Sequence, residues 1–175
     1  MRHGESAYNV LGLCNGDPAR PVPLSATGRR QVTAAAERLQ ALPIDRIWVS
    51  QFPRAQETAA IVNSRHAAPV QVDARLNDRR NGFEGRPVAE YLEAVNNDHL
   101  NFVPPAGGES YKQLIARVDA CLADLAALTA NCLLVVTHHE VLQVIHGRCH
   151  GEPPEAMWRY WIDPAGFFEV DGLRL

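Results

Sequence analysis

The stretch GGESYKQLIARVDACLADLAAL, followed after a short turn by the apolar run CLLVV over residues 132–136, constrains the fold most. Leu114, Val118, Cys121, Leu122, Leu125 and Leu128 fall on one helical stripe, so one face of this helix needs an apolar cover. CLLVV shows no polar alternation, which predicts a strand buried on both faces. The same unit recurs upstream. Val32, Ala35, Ala36, Leu39 and Leu42 repeat at helical spacing over residues 25–42, Pro43 closes that helix, and RIWV (46–49) reads as a short buried strand. PRAQETAAIVNSRH then opens a helix with Pro53 in its first turn, where the missing N–H costs nothing. VQVD (70–73) is predicted as another strand, residues 87–95 as a short helix, a further helix starts near Glu140, and GFFEV (166–170) reads as a final strand. Strands alternating with helices place the chain in the α/β class, as a three-layer α/β/α sandwich around a mostly parallel central sheet. A length of 175 residues fits a single domain spanning 1–175.

Composition removes several function classes. A 46% hydrophobic share with 21% charged residues suits a folded, soluble chain, and a net charge of −3 supplies no basic field for nucleic acid or a membrane surface. No targeting segment and no membrane-length apolar run is present, so a cytoplasmic protein is expected. Cys14, Cys121, Cys132 and Cys149 are scattered without a CxxC pair and read as reduced thiols.

Ligands of such folds sit beyond the carboxyl ends of the strands. Three motifs fall there: MRHGES at the start, VSQFPRAQETA after RIWV, and VVTHHE ending CLLVV. They would gather Arg2, His3, Ser50, Arg54, Thr137, His138 and His139 beside helix N-termini. That composition suits a phosphate, because guanidinium forks match its oxygens and helix N-termini add donors. The rival reading is a metal held by His138 with His139, or by His146 with His150. No HExxH or Cys/His spacing supports it, and Gly147 and Gly151 weaken the helix there, so no metal and no cofactor is expected. His66 and His99 read as surface residues, and Trp158, Tyr160 and Trp161 as core or subunit contacts, which leaves a homodimer open. The segments 17–23 and 97–108 read as rim loops of the site.

These motifs resemble those of the histidine phosphatase superfamily, the phosphoglycerate mutase-like proteins. RHGESAYN resembles its RHG signature, with Asn9 following the histidine by six; NGDPARPVPLSATGRRQ, SQFPRAQETA, LNDRRNGFEG, GGES and VVTHHE match further segments in order. The resemblance covers Arg2 to about Ile145 and implies the phosphoglycerate mutase-like fold. It also implies a metal-independent mechanism in which His3 attacks phosphorus and is transiently phosphorylated. Arg2, Asn9, Arg54 and His138 would then hold the transferring phosphoryl group, Gly4 would let the backbone pass close to that pocket, and Glu5 would orient Arg54 or a loop amide. The proton donor to the leaving group is open among Asp78, at the family's glutamate position, Glu84, and the more distant Glu140.

The family includes mutases and phosphatases. Mutases carry an insertion, between the acidic loop and the Gly-Glu-Ser turn, that brings cations to the substrate carboxylate. Here the distance from Gly85 to Gly108 is short and its only cation is Arg86, so water would reach the phosphohistidine. A phosphatase on a small phosphorylated metabolite is therefore expected. Phosphoglycerate mutase-type transfer is the alternative, and a catalytically weak phosphate-binding or regulatory module a third reading. Relatives have an apolar strand before Arg-His-Gly, whereas Met1 alone precedes Arg2; extra apolar residues before Met1, or another segment in that slot, are expected.

Overall fold

The computed structural model describes residues 1–105 and 107–172. Residue 106, in a predicted rim loop, and residues 173–175, at the end of the predicted domain, lie outside the described residues. The order is α1 (Ala7–Leu11), α2 (Ala26–Leu39), β1 (Arg46–Val49), α3 (Pro53–Asn63), β2 (Val70–Val72), a 3-10 turn (Ala74–Leu76), α4 (Val88–Val95), α5 (Tyr111–Ala126), β3 (Leu133–Val136), α6 (His139–Cys149) and α7 (Pro154–Met157). Local chemistry sets several boundaries. Ser25 caps α2 by accepting from the Gly28 amide, and Ser110 with Gln113 forms a capping box at α5. Helix α1, too short to show periodicity in the sequence, is held by a capping box of Ser6 and Asn9 and stopped by Gly12 at φ 65°.

The three strands pair in the order β2–β1–β3, all parallel. Ile47 and Val49 of β1, with Leu134 and Val136 of β3, pack against Val32 and Leu39 of α2 and Ala59 and Val62 of α3. The opposite face, Trp48, Leu133 and Val135, packs on Leu114 and Val118 of α5 and Val141 and Val144 of α6. Helices therefore cover both faces of the sheet, as the apolar runs of β1 and β3 require. β2 is an exposed edge strand.

One element departs from expectation. GFFEV forms no strand. Instead the Arg2 amide donates to the Gly166 carbonyl (2.8 Å) and the Ala165 amide to the His3 carbonyl (3.1 Å). On its other side Met1–His3 pairs parallel with the end of β3: the Thr137 amide donates to Met1 O and the His3 amide to Thr137 O, both at 3.0 Å. The Met1 side chain is buried in the core beneath. Met1–His3 thus lies beside the carboxyl end of β3 and carries His3 to the carboxyl edge of the sheet.

Candidate active site

Four loops leave the carboxyl edge of the sheet and converge. His3 follows the Met1–His3 stretch, Ser50 and Arg54 follow β1, Asp78 follows the turn after β2, and Thr137 and His138 follow β3. The rings of His3 and His138 lie 5.0 Å apart, and both residues are buried. Arg54, 3% exposed on the first turn of α3, bridges them. Its Nε–H donates to His3 Nε2 (3.1 Å), and its Nη2 donates to His138 Nδ1 (3.2 Å) and to Asp78 Oδ2 (2.9 Å). The guanidinium also lies 4.3 Å from the Phe52 ring centre, which fixes its plane.

The remaining hydrogen bonds set the tautomers. His3 Nδ1–H donates to the Gly4 carbonyl at 2.7 Å, so Nε2 carries the free lone pair facing the cavity that Arg54 caps. His138 accepts at Nδ1, and its Nε2–H donates to Ser50 Oγ at 2.7 Å. Burial first, and the Arg54 charge second, push both imidazoles well below the ordinary histidine pKa of 6.5. Both rings are therefore neutral around pH 7. Asp78 behaves oppositely: burial raises its carboxyl above the ordinary 3.8 despite the opposing pull of Arg54, and the Glu140 charge adds to the rise.

The cavity in front of these groups is lined by Arg2, His3, Asn9, Asn15, Arg54, Asp78, Arg79 and their neighbours. Arg2 is held by Nη1, which donates to the Ile162 carbonyl at 2.7 Å, while its buried Nε has no partner among the described residues. Asn9 uses its Oδ1 to accept from the Ser6 amide and hydroxyl, both at 3.0 Å, and its residue faces the cavity. His139 lines the wall with its ring 4.7 Å from Trp161, and burial lowers its pKa to about 4.

Several sequence-based expectations are corrected. Gly4 makes its close approach to α2 rather than to the pocket: a Cβ there would lie 2.6 Å from Gly28 O and 2.7 Å from Val32 Cγ2. Glu5 reaches Ser25 Oγ (2.6 Å), not Arg54. Glu84 does not line the cavity. Its carboxylate accepts from Asn15 Nδ2 (3.1 Å) and from the amides of Gly16 (2.6 Å) and Asp17 (3.1 Å), with Arg20 Nε at 3.3 Å, so it clamps the loop instead. Glu140 does line the cavity but is held by Arg79 through two hydrogen bonds, 2.6 and 2.9 Å, and by the Tyr91 hydroxyl at 2.9 Å. The described residues of the predicted rim loops stand back; Tyr8, Asn9, Leu13, Cys14, Asn15, Asn81, Val88 and Tyr91 form that wall. His99 is half-buried, stacked on Trp158 at 4.9 Å.

Sequence reasoning missed Asn15. This buried residue accepts from Arg54 Nη1 through Oδ1 and from Arg54 Nη2 through its carbonyl (3.2 Å). Its signal was faint: an Asn-Gly pair in a loop reads as a turn, and only a tertiary contact gives it a guanidinium to hold.

Comparison with known proteins agrees with this geometry. The model of the histidine phosphatase superfamily, branch 1, matches residues 1–172. The adenosylcobalamin/alpha-ribazole phosphatase of Escherichia coli is 33% identical, over 98% of this chain and 87% of that relative. The crystal structure of the alpha-ribazole phosphatase from Shigella flexneri superposes with a TM-score of 0.84 at 30% identity, covering 94% of this chain and 85% of that one. The mycobacterial glucosyl-3-phosphoglycerate phosphatase, solved with VO3, superposes with a TM-score of 0.81 at 26% identity, covering 94% and 85%. The chain belongs to branch 1 of the histidine phosphatase superfamily and is a phosphomonoesterase of that family.

Proposed function

We propose that this protein hydrolyses alpha-ribazole phosphate or a closely similar phosphomonoester through a phosphohistidine on His3. The observation that carries the reading is the pair of neutral, buried imidazoles 5.0 Å apart, bridged by Arg54, with His3, Arg54 and Asp78 lining one cavity and His138 packed behind them. The substrate's phosphoryl group enters among Arg2, Asn9, Arg54 and His138. Arg54 exchanges its bond to His3 Nε2 for the non-bridging oxygens, which frees that lone pair. Nε2 attacks phosphorus in line, the P–O bond breaks, and Asp78 gives its proton to the departing alkoxide. Water then attacks the phosphohistidine and returns a proton to the Asp78 carboxylate; inorganic phosphate leaves and His3 is restored.

Asp78 is favoured as the proton donor because it faces the cavity and its carboxyl is raised even with Arg54 donating to it, whereas Glu84 does not line the cavity and Glu140 is held by two hydrogen bonds from Arg79. The pH dependence has a definite sign. His3 is nucleophilic above its own lowered pKa, so rate is lost only as pH falls through a value below 6.5. Asp78 must be protonated, so rate is also lost as pH rises past its raised pKa. The expected kcat/KM profile has an acid limb set by His3 and an alkaline limb set by Asp78. In Asp78→Asn the alkaline limb disappears, and alkyl phosphates lose about 10²–10⁴-fold while p-nitrophenyl phosphate, with its good leaving group, loses less. Equal losses on both substrates, or a larger loss in Glu84→Gln, would move the acid role away from Asp78.

The substrate reading is tested by steady-state release of phosphate from alpha-ribazole phosphate, p-nitrophenyl phosphate and 3-phosphoglycerate. The highest kcat/KM is expected on alpha-ribazole phosphate. Interconversion of phosphoglycerates at a rate above hydrolysis would instead make the protein a mutase.

A further inference from the structure

Arg79 follows Asp78 directly and lines the same cavity, yet the reaction above does not use it. Its side chain is 0% exposed. Nε and Nη2 are bound to the two carboxylate oxygens of Glu140, and Nη2 also meets the Tyr91 hydroxyl. The guanidinium lies 5.4 Å from the Tyr91 ring centre and 5.6 Å from that of Tyr111, so its plane is fixed. Nη1, buried as well, makes no hydrogen bond to the described residues. Leaving a buried donor without a partner is costly, more so for a charged group, and at a cavity wall that cost asks for a ligand.

We propose that Arg79 is a specificity-determining residue: Nη1 donates a hydrogen bond to a neutral oxygen, hydroxyl or ring ether, on the alcohol that leaves the phosphate. The inference rests on the phosphatase reading and deepens it. Asp78 places the leaving oxygen, and the adjacent residue meets atoms a few bonds further out on the same group. Glu140 already neutralises the Arg79 charge, so a carboxylate on the leaving group would face Glu140 across the guanidinium and be repelled. A sugar-like hydroxyl or ether oxygen meets no such penalty. Leu13 and Val88 supply apolar surface on the same wall, which fits a ring that carries the acceptor.

The test compares kcat/KM on ribose 5-phosphate with that on cyclopentylmethyl phosphate, a five-membered ring without acceptors. A charged donor's hydrogen bond corresponds to roughly a 10- to 100-fold preference for the ribose ester in the wild type. In Arg79→Met the preference falls to within about threefold, since 1.4 kcal/mol is a factor of ten. Arg79→Met/Glu140→Leu removes both charges of the pair together and guards against misfolding of the single variant; it shows the same collapse. Tyr91→Phe keeps Nη1 and retains the preference. No preference in the wild type, or an equal loss on both esters in the Arg79 variants, would reduce Arg79 to a structural partner of Glu140 and overturn the proposal. Absence of hydrolysis of either ester and of p-nitrophenyl phosphate would instead remove the phosphatase reading beneath it.

Discussion

His3→Ala is expected to lower kcat by about 10⁴-fold or more, equivalent to about 5.5 kcal/mol of transition-state stabilisation. The size follows from the role proposed for Nε2, which forms a covalent bond to phosphorus that no neighbouring group is placed to replace. His138 has its Nδ1 facing Arg54 and its Nε2 turned to Ser50, so neither nitrogen substitutes for the missing nucleophile. Rapid acid or base quench during turnover separates the possibilities. Wild-type protein is expected to carry acid-labile, base-stable phosphate in a one-to-one ratio, and His3→Ala none. A variant with more than about a tenth of wild-type activity would sink the mechanism, since a lost nucleophile costs several factors of ten. Good phosphate binding by the wild type without any phosphohistidine would favour the binding-module reading.

Arg54→Ala is expected to reduce kcat/KM by about 10³–10⁵-fold, the range seen when a guanidinium that stabilises a transferring phosphoryl group is removed. Arg54 reaches His3 through Nε, Asn15 through Nη1, and both Asp78 and His138 through Nη2, so in the proposed mechanism it orients the nucleophile, the acid and the phosphate site together. A lysine has one ammonium and cannot reproduce that fork; Arg54→Lys is expected to recover no more than about tenfold of the loss. Most of the defect should appear in kcat, because the charge matters most when it builds up on the transferring oxygens. Arg54→Lys within tenfold of wild type would mean that a point charge suffices and that the geometry around Arg54 is not catalytic. Arg54→Ala also leaves Asn15 and the His138 ring without a donor, so phosphate affinity should fall in equilibrium binding as well.

Much of this fold was legible because the signals are local. The stripe of α5, the apolar runs of β1 and β3 and the Pro53 entry to α3 are each decided within a few residues by periodicity, capping and backbone restriction. The edge strand β2 carried the same β-branched signal although its side chains are exposed. GFFEV carried that signal too and forms no strand: Phe167 and Phe168 pack against the two cores, so its apolar character serves packing and not a ladder.

By itself, the sequence determined that arginines and histidines end up at the carboxyl ends of parallel strands, since strand–helix alternation dictates where those motifs must lie. It could not determine which carboxylate faces the phosphate site. Glu84 is drawn to the amides of Gly16 and Asp17, Glu140 to Arg79, and Asp78 to Arg54, each across a long separation in the chain. The same holds for Asn15 on Arg54 and for the Nη1 of Arg79, which has no partner among the described residues. Hydrogen bonds between distant residues depend on distances that only the packed helices and sheet fix. A carboxylate's chemistry is then set by the donors that packing leaves available to it.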